Sequence, residues 1–591
     1  MSNLVEVKGV YKAYKKADGS DNQVYSDFSL SLDEGKHLVC MTGPDGAGKS
    51  TLLKMLAGLV KPDRGELWLL GDRPSNSSPK FASRIGYMSQ TLGLYMELSV
   101  IENLRLISGL KNFDLKNNGD YLLELLRKVD LLRFKDYAAG SLSGGMKQKL
   151  ALTCALACRP EVLILDEPTV GVDPVSREEL WAIVFDYLKE SQAYCLFTSA
   201  YLEEAAFADE VLVCNEGKIV LRGQASELVK GCEDETYALN PQDLNYQQYA
   251  RQMMFASYLY DKSSPIMDVC PRVGRIDVLL LKGKRYEDLM SYLRRKFPDY
   301  IAKIKVSKRP SILEDVYINA TWNPHLKMPN LDEAQRANFK REEVVIDVHE
   351  IKKVFGNFTA VEHSNFQVHR GEIFGLLGPN GAGKTTTFRM ICALLPPTEG
   401  EVLVNGFDLR YAKASARATI GYVSQKFSLY RTLSCVQNLE YFGRSYGLFG
   451  KKLQARIEEL LEEFSLQKFA HTRSEALPFG VQRQLSMACA LIHKPKILFL
   501  DEATSGADPL ARRNFWNRVN ALCVEGTSII VTTHFMEEAE YCDRFLIQDH
   551  GKILVLGEPS KICVKDGKRI SVEEAFVDKV HEFRQSLKEG V

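Results

Sequence analysis

The chain has 591 residues, enough for about four domains with full cores. Its 76 basic and 76 acidic residues cancel, so there is no net electrostatic case for a nucleic-acid partner. Residues 1–7 form neither a basic leader nor a long apolar segment, and no run of about 18 apolar residues follows, so neither a signal peptide nor a membrane span is expected. The 13 cysteines are scattered, with no C-x-x-C. Cys154 and Cys158 share a helix face without a nearby histidine to complete a metal set. The thiols read as reduced core residues of a cytosolic protein.

In chain order, the first informative element is an apolar run, His37-Leu38-Val39-Cys40-Met41, which reads as a buried strand. It leads into Gly43-Pro44-Asp45-Gly46-Ala47-Gly48-Lys49-Ser50, then the helical pattern Thr51-Leu52-Leu53-Lys54-Met55-Leu56. The loop fits G-x-x-x-x-G-K-[ST]. Glycines let backbone N–H groups close around phosphate oxygens, and the helix N-terminus adds a favourable dipole. Lys49 can reach the β- and γ-phosphates, and Ser50 can ligate Mg²⁺. Next come Gly86-Tyr87-Met88-Ser89-Gln90 and a second buried strand, Val162-Leu163-Ile164-Leu165. That strand delivers Asp166 and Glu167 to the C-terminal edge of a parallel sheet, beside the phosphate loop. Asp173-Pro174 follows as a turn. This first domain spans residues 2–231.

Residues 232–321 alternate strand-like and helix-like patterns and read as a small α/β appendage. Residues 322–343 are polar, carry Pro324 and Pro329, and read as a linker. A second domain, residues 344–560, repeats the first. Ile373-Phe374-Gly375-Leu376-Leu377 leads into Gly378-Pro379-Asn380-Gly381-Ala382-Gly383-Lys384-Thr385, then Thr386 and a helical pattern. Subtracting 335 from second-half positions puts Gln425 on Gln90, Asp501-Glu502 on Asp166-Glu167, and Asp508 on Asp173. One phosphate loop can be chance; two, each between strand and helix and followed by the same carboxylates, are an internal duplication. A tail, residues 561–591, carries Ser571-Val572-Glu573-Glu574, which echoes Ser311-Ile312-Leu313-Glu314, so each half is expected to close with a similar helix.

Leu142-Ser143-Gly144-Gly145-Met146-Lys147-Gln148 resembles the signature motif of ATP-binding cassette (ABC) ATPases. Phosphate loop, Gln loop, signature, Asp-Glu pair and D-loop stand in the family's order in each half. The resemblance implies two P-loop NTPase cassettes, each with a RecA-like α/β core, a β-subdomain and a helical subdomain. It also implies ATP and Mg²⁺ as ligands. By motif match, nucleotide would be held by Tyr14, Gly43, Gly46, Gly48, Lys49, Ser50, Thr51 and Gln90 in the first cassette. In the second, Phe355, Gly378, Pro379, Asn380, Gly381, Ala382, Gly383, Lys384, Thr385, Thr386 and Gln425 would do so. Signature residues Ser143, Gly144, Gly145 and Gly480 and D-loop residues Asp173 and Asp508 complete the set. Ser50, Gln90 and Asp166, and likewise Thr385, Gln425 and Asp501, would surround the metal. Glu167 and Glu502 would position the attacking water, and the switch residue His534 would contact the γ-phosphate as a further catalytic residue. Tyr14 and Phe355 could instead be strand-end core aromatics, and Asp173 and Asp508 simple turn formers.

The family implies head-to-tail pairing of the cassettes into an intramolecular dimer, each ATP lying between one phosphate loop and the other cassette's signature. The second signature is degraded: Leu477-Pro478-Phe479-Gly480 replaces Leu142-Ser143-Gly144-Gly145, and Ala200 stands where the second half has His534. Both defects would meet on the site built from Lys49. A charge-assisted hydrogen bond contributes about 1.5–3 kcal/mol, so two lost contacts could slow hydrolysis by orders of magnitude. Neutral drift in an enzyme needing one good site predicts the same kinetics.

The segments after each Gln, Leu94-Tyr95-Met96 and Leu429-Tyr430-Arg431, resemble those of ABC-2-class export ATPases. Two cassettes, an appendage and no membrane domain resemble the fused ATPases of bacterial drug exporters. This implies a drug-efflux ATPase working with two ABC-2-type permease subunits and a membrane-fusion accessory protein, on the cytoplasmic face of the inner membrane. Two other classes compete. A soluble tandem cassette acting on ribosomes or DNA usually has two intact signatures, a long charged helical linker or cysteine clusters. In a tandem sugar-importer ATPase one site is degraded too, but the appendage and the segments after each Gln fit export better.

Overall fold

The computed structural model describes residues 3–15, 21–75, 77–111, 113–114, 118–241, 246–324, 342–424, 429–533 and 535–589. Gln425, His534 and most of the 322–343 linker lie outside the described residues. The chain forms two contact units. Unit 1 holds residues Met1–Cys232, Ser311–Trp322 and Gly506–Leu510; unit 2 holds the rest.

In unit 1 a six-stranded sheet runs in the order Ile85–Met88, Val162–Asp166, Tyr194–Thr198, Leu38–Thr42, Glu210–Asn215, Lys218–Gly223. The first five strands are parallel and the last is an antiparallel edge. Leu38–Thr42 and Val162–Asp166 are buried at every position, as continuous apolar runs in a sheet covered on both faces require. An antiparallel sheet, Asp21–Asp33, Asn3–Lys15, Arg64–Leu69, packs its apolar face into the same core. Helices Val100–Leu110, Gly119–Lys128 and Gly144–Leu156 gather around a separate small core. Ser99 caps the first of these by accepting from Glu102 N (3.3 Å) while Glu102 Oε2 accepts from Ser99 N (2.8 Å).

Unit 2 repeats the plan. Its six-stranded sheet runs Ile420–Val423, Ile497–Asp501, Ser528–Thr532, Ile373–Leu377, Arg544–Asp549, Lys552–Gly557. The α/β fold with two cassettes is as the sequence implies. The segment between the cassettes forms a four-stranded antiparallel sheet, Ile266–Arg272, Arg275–Leu280, Thr236–Pro241, Ile304–Lys308, with helices Tyr246–Met254 and Tyr286–Lys296. Leu239, Val278, Leu289 and Leu293 of this segment belong to one apolar cluster with Leu439, Leu460, Leu485 and Trp516 of the second cassette.

The two echoing closing helices go to different units. Leu313–Thr321 is in unit 1, where Asn319 Nδ2 donates to Cys232 Sγ (3.5 Å). Val572–Glu589 is in unit 2, where fully buried Phe576 packs with Leu377, Phe545 and Ile547. Phe576→Ala is expected to destabilise unit 2 by about 3–5 kcal/mol, the usual loss for a buried phenylalanine. Calorimetry should show the unit 2 transition fall and the unit 1 transition hold.

Candidate active sites

The phosphate loop of the first cassette joins the central strand Leu38–Thr42 to the helix Lys49–Leu56. Gly43 has φ 153°, and a Cβ there would sit 2.0 Å from Cys214 O; Gly378 has φ 156° and the same approach, 2.2 Å from Gln548 O. Only glycine fits where the loop presses on the neighbouring strand. Lys49 Nζ donates to Gly43 O (2.5 Å) and Pro44 O (3.1 Å), and Lys384 Nζ donates to Gly378 O and to Pro379 O (2.9 Å). Both ammonium groups are therefore held across the mouth of their own loop. Thr51 and Thr386 sit half-buried, each at the third position of its helix, and Gly46, Gly381 and Asn380 are exposed on the loop. Ala47 and Ala382 are buried beneath it.

The carboxylates come from Val162–Asp166 and Ile497–Asp501, each two strands away from the strand that feeds the loop. Ser50 Oγ donates to Asp166 Oδ1 (2.9 Å). Thr198 Oγ1 also donates to Asp166 Oδ1 (2.9 Å) and accepts from Glu167 N (2.9 Å). Thr532 repeats this, donating to Asp501 Oδ1 (2.7 Å) and accepting from Glu502 N (3.1 Å). Glu167 and Glu502 both have left-handed backbones, φ 51° and 46°. Strain shared at one position in both cassettes marks a place where side-chain direction outweighs backbone comfort. Gln90 Nε2 donates to Glu167 Oε2 (2.9 Å). Burial pushes the Glu167 carboxyl up to about 7, opposed by Lys49 and raised further by Asp45 and Asp166. The second cassette has Asn380 where Asp45 stands, so this negative neighbour belongs to the first site alone.

Several residues at these sites were not singled out in the sequence. Besides Thr198 and Thr532, buried Glu204 accepts from Thr169 Oγ1 (2.6 Å) and Ser199 Oγ (2.6 Å). Glu538 likewise accepts from Thr504 Oγ1 and from Thr533 Oγ1 (2.6 Å). Each ties the stretch after the Asp-Glu pair to the stretch after the next strand. The signal was available: both pairs recur at an offset of 334, the same as Ala200 and His534.

The signatures differ physically. Ser143 Oγ caps the helix Gly144–Leu156 by accepting from Met146 N (3.3 Å), whereas Pro478 precedes Phe479–Leu491 with no side-chain cap. A Cβ on Gly144 would meet nothing, and one on Gly145 would lie 3.3 Å from Ser176 Oγ. Asp173 accepts from Ser176 N (3.1 Å) and Ser176 Oγ (3.0 Å). Asp508 lies in the stretch grouped with unit 1, where its carboxylate accepts from Asp45 N (3.2 Å) and Tyr317 OH (3.3 Å). Tyr14 and Phe355 are exposed at strand ends and are not core aromatics. All 13 cysteines are buried and unbridged.

Beside Gln90 lies a cavity of about 230 Å³ lined by Ala57, Leu59, Leu92, Ile107, Lys111 and Cys154 among others. Lys111 Nζ donates to Ile85 O (2.6 Å). In the second cassette His493 Nε2 meets Ile420 O (3.0 Å) instead, and its ring stacks on Tyr446, 3.6 Å between centroids.

A family model described as "ABC transporter" matches residues 25–170 and 361–505. The chain is 38% identical over 575 residues to "Probable multidrug ABC transporter ATP-binding protein YbhF" of Escherichia coli, covering 96% of this chain and 97% of that one. The chain belongs to the ABC transporter family. It is a two-cassette ABC ATPase. It is also similar to "Nod factor export ATP-binding protein I" of Sinorhizobium fredii, 41% identical over 37% of this chain and 64% of that one. A third relative is "Linearmycin resistance ATP-binding protein LnrL" of Bacillus subtilis, 38% identical over 38% of this chain and 72% of that one. Among the described residues no helix is long and apolar enough to cross a membrane.

The raised Glu167 pKa has a stability consequence. The folded state favours the protonated acid, so its contribution is full below the ordinary value of 4.5 and is lost as pH rises through about 7. Glu167→Gln is therefore expected to stabilise the nucleotide-free protein by up to about 3 kcal/mol at pH 8 and by little at pH 4.5. Melting curves across that range check the growth of the difference.

Proposed function

We propose that this chain is the ATP-hydrolysing subunit of an ABC-2-class drug exporter, with one productive and one degenerate composite ATP site. In this reading the cassettes pair head to tail. One site combines Lys384, Thr385, Asp501, Glu502, Gln425 and His534 with Ser143, Gly144 and Gly145. The other combines Lys49, Ser50, Asp166, Glu167, Gln90 and Ala200 with Pro478, Phe479 and Gly480. The single observation that carries the asymmetry is the helix start at Ser143 against Pro478. The first offers a hydroxyl beside open glycine; the second offers neither.

The oxygen donors Ser50 and Asp166, and Thr385 and Asp501, suit Mg²⁺, which takes few protein oxygens and keeps its waters. Mg²⁺ would neutralise charge on the β- and γ-phosphates. Lys49 and Lys384 exchange their loop carbonyls for phosphate oxygens on ATP binding. Glu502 orients the attacking water, and the left-handed backbone directs its carboxylate beyond the strand end. Tyr14 and Phe355, exposed at strand ends, are available to stack on adenine.

The relatives whose names speak of multidrug transport, Nod factor export and linearmycin resistance support an export role. Two permease subunits and a membrane-fusion accessory protein complete the proposed machine, held at the cytoplasmic face of the membrane. The docking surfaces are the exposed aromatics after each Gln loop, Tyr95 at 50% and Tyr430 at 44% exposure. A partner's short helix seated there would move with the Gln loop.

Glu502→Gln is expected to lower steady-state phosphate release by at least about tenfold, and Glu167→Gln by less than about twofold. Equal losses in the two variants would refute the asymmetry. Tyr95→Glu combined with Tyr430→Glu should release the chain from membranes carrying its permeases while ATP binding and melting stay unchanged. Continued membrane retention with active export would show that docking lies elsewhere.

A further inference from the structure

The inserted α/β segment is built onto the face of the second cassette that follows its switch position. Strand Ile266–Arg272 lies beside the turn Met536–Tyr541. Arg272 Nη1 donates to Glu540 Oε2 (3.2 Å) and lies 3.9 Å from Glu537 Oε1. Asp268 Oδ2 stands 3.1 Å from Arg513 Nε, and Arg513 donates to Tyr541 OH. From helix Tyr246–Met254, buried Arg251 donates to Asp543 Oδ2 (2.5 Å) and Asn520 Oδ1 (3.2 Å). Asp543 Oδ2 also accepts from Ile373 N (2.9 Å), the first residue of the strand that feeds the phosphate loop.

The internal duplication supplies a control. Asp209 does the work of Asp543 in the first cassette, accepting from His37 N (3.0 Å) and Leu38 N (2.9 Å). Of the groups that meet the segment, Asp543 and Glu537 recur as Asp209 and Glu203, but four others do not. Glu540, Tyr541, Asn520 and Arg513 correspond to Ala206, Phe207, Phe185 and Glu178. Phe185 and Phe207 are exposed and pack on each other, 5.2 Å between centroids. Asn520, Glu540 and Arg513 are buried in the second cassette, where polar groups need the partners the inserted segment provides. The second cassette is thus chemically adapted to the segment on this face, and the first is not.

The face leads directly to the site. Glu538, within the same turn, takes the hydroxyls of Thr504 and Thr533, which flank the ends of the strands bearing Asp501 and Thr532. We infer that Arg272 and Arg251 are positioning residues for ATP hydrolysis at the second cassette: Arg272 holds the 536–541 turn through Glu540, Arg251 holds Asp543 just after it, and through Glu538 the turn holds the carboxylate edge of that site. This rests on the reading that the site of Lys384 carries the turnover.

The test uses the full chain in a Glu167→Gln background, where hydrolysis reports the second cassette. Arg272→Gln is expected to lower kcat about tenfold while KM for ATP stays within about twofold, since misplacement of a catalytic edge acts on the chemical step. Arg272→Lys should restore part of the rate. Lys305→Gln, on the outer strand of the segment, should leave the rate unchanged. If Arg272→Gln does not fold, Glu540→Gln removes the same pair from the other side and should give the same kcat loss. Unchanged kcat in both, or a loss shared equally by kcat, KM and melting temperature, overturns the positioning role. Absence of turnover in Glu167→Gln alone overturns the assignment of the productive site, and the inference with it.

Discussion

Each site depends on the close press of a glycine loop against the next strand. The central strand ends beside a neighbour whose carbonyl leaves no room for a Cβ at Gly43 or Gly378. That approach forces the loop to turn back over the sheet edge and sets the helix N-terminus above it. Parallel strand register then brings Asp166 and Thr198, or Asp501 and Thr532, to the same edge. Everything chemical follows from that edge: the threonine bridge, the strained glutamate, and the lysine waiting on loop carbonyls.

The two halves keep this architecture and diverge in what surrounds it. The first cassette has Asp45 beside its buried glutamate, an alanine at the switch position and an intact signature serine on its helical subdomain. The second has Asn380, a histidine outside the described residues, and a proline at its signature. In the proposed head-to-tail pairing, Ala200 and Pro478, separated by 278 positions, would belong to one site. Asp45, Ser143, Asn380 and Pro478 are exposed and fill no core, so divergence at these positions leaves the fold untouched. The bridges below them, Thr198 and Glu204 against Thr532 and Glu538, are retained in both.

The inserted segment is an integral part of unit 2, because its core is continuous with that of the second cassette and its arginines meet carboxylates there. Buried ion pairs of this sort contribute little net stability but are costly to break on one side. They therefore serve specificity, fixing which cassette the segment joins and how the turn after the switch position is held.

Much of this was legible in the sequence. Glycine and lysine spacing, apolar runs ending in Asp-Glu, and the 335-residue offset establish two phosphate-binding cassettes without any structure. These signals are local, and a phosphate loop is a local backbone conformation. Loss of a hydroxyl at Pro478 is equally visible, because it follows from covalent chemistry alone. Other features only the tertiary structure decided. Thr198, Glu204, Thr532 and Glu538 recur at the 334-residue offset, but which groups they bond to is decided only when their strands become neighbours on folding. The division of residues 232–321 between units depends on side-chain burial across hundreds of positions, as when Arg251 meets Asp543. Sequence determines which groups exist and how strands are spelled; only packing decides which of them meet in a low-dielectric interior, where a carboxylate such as Glu167 is pushed up to about 7.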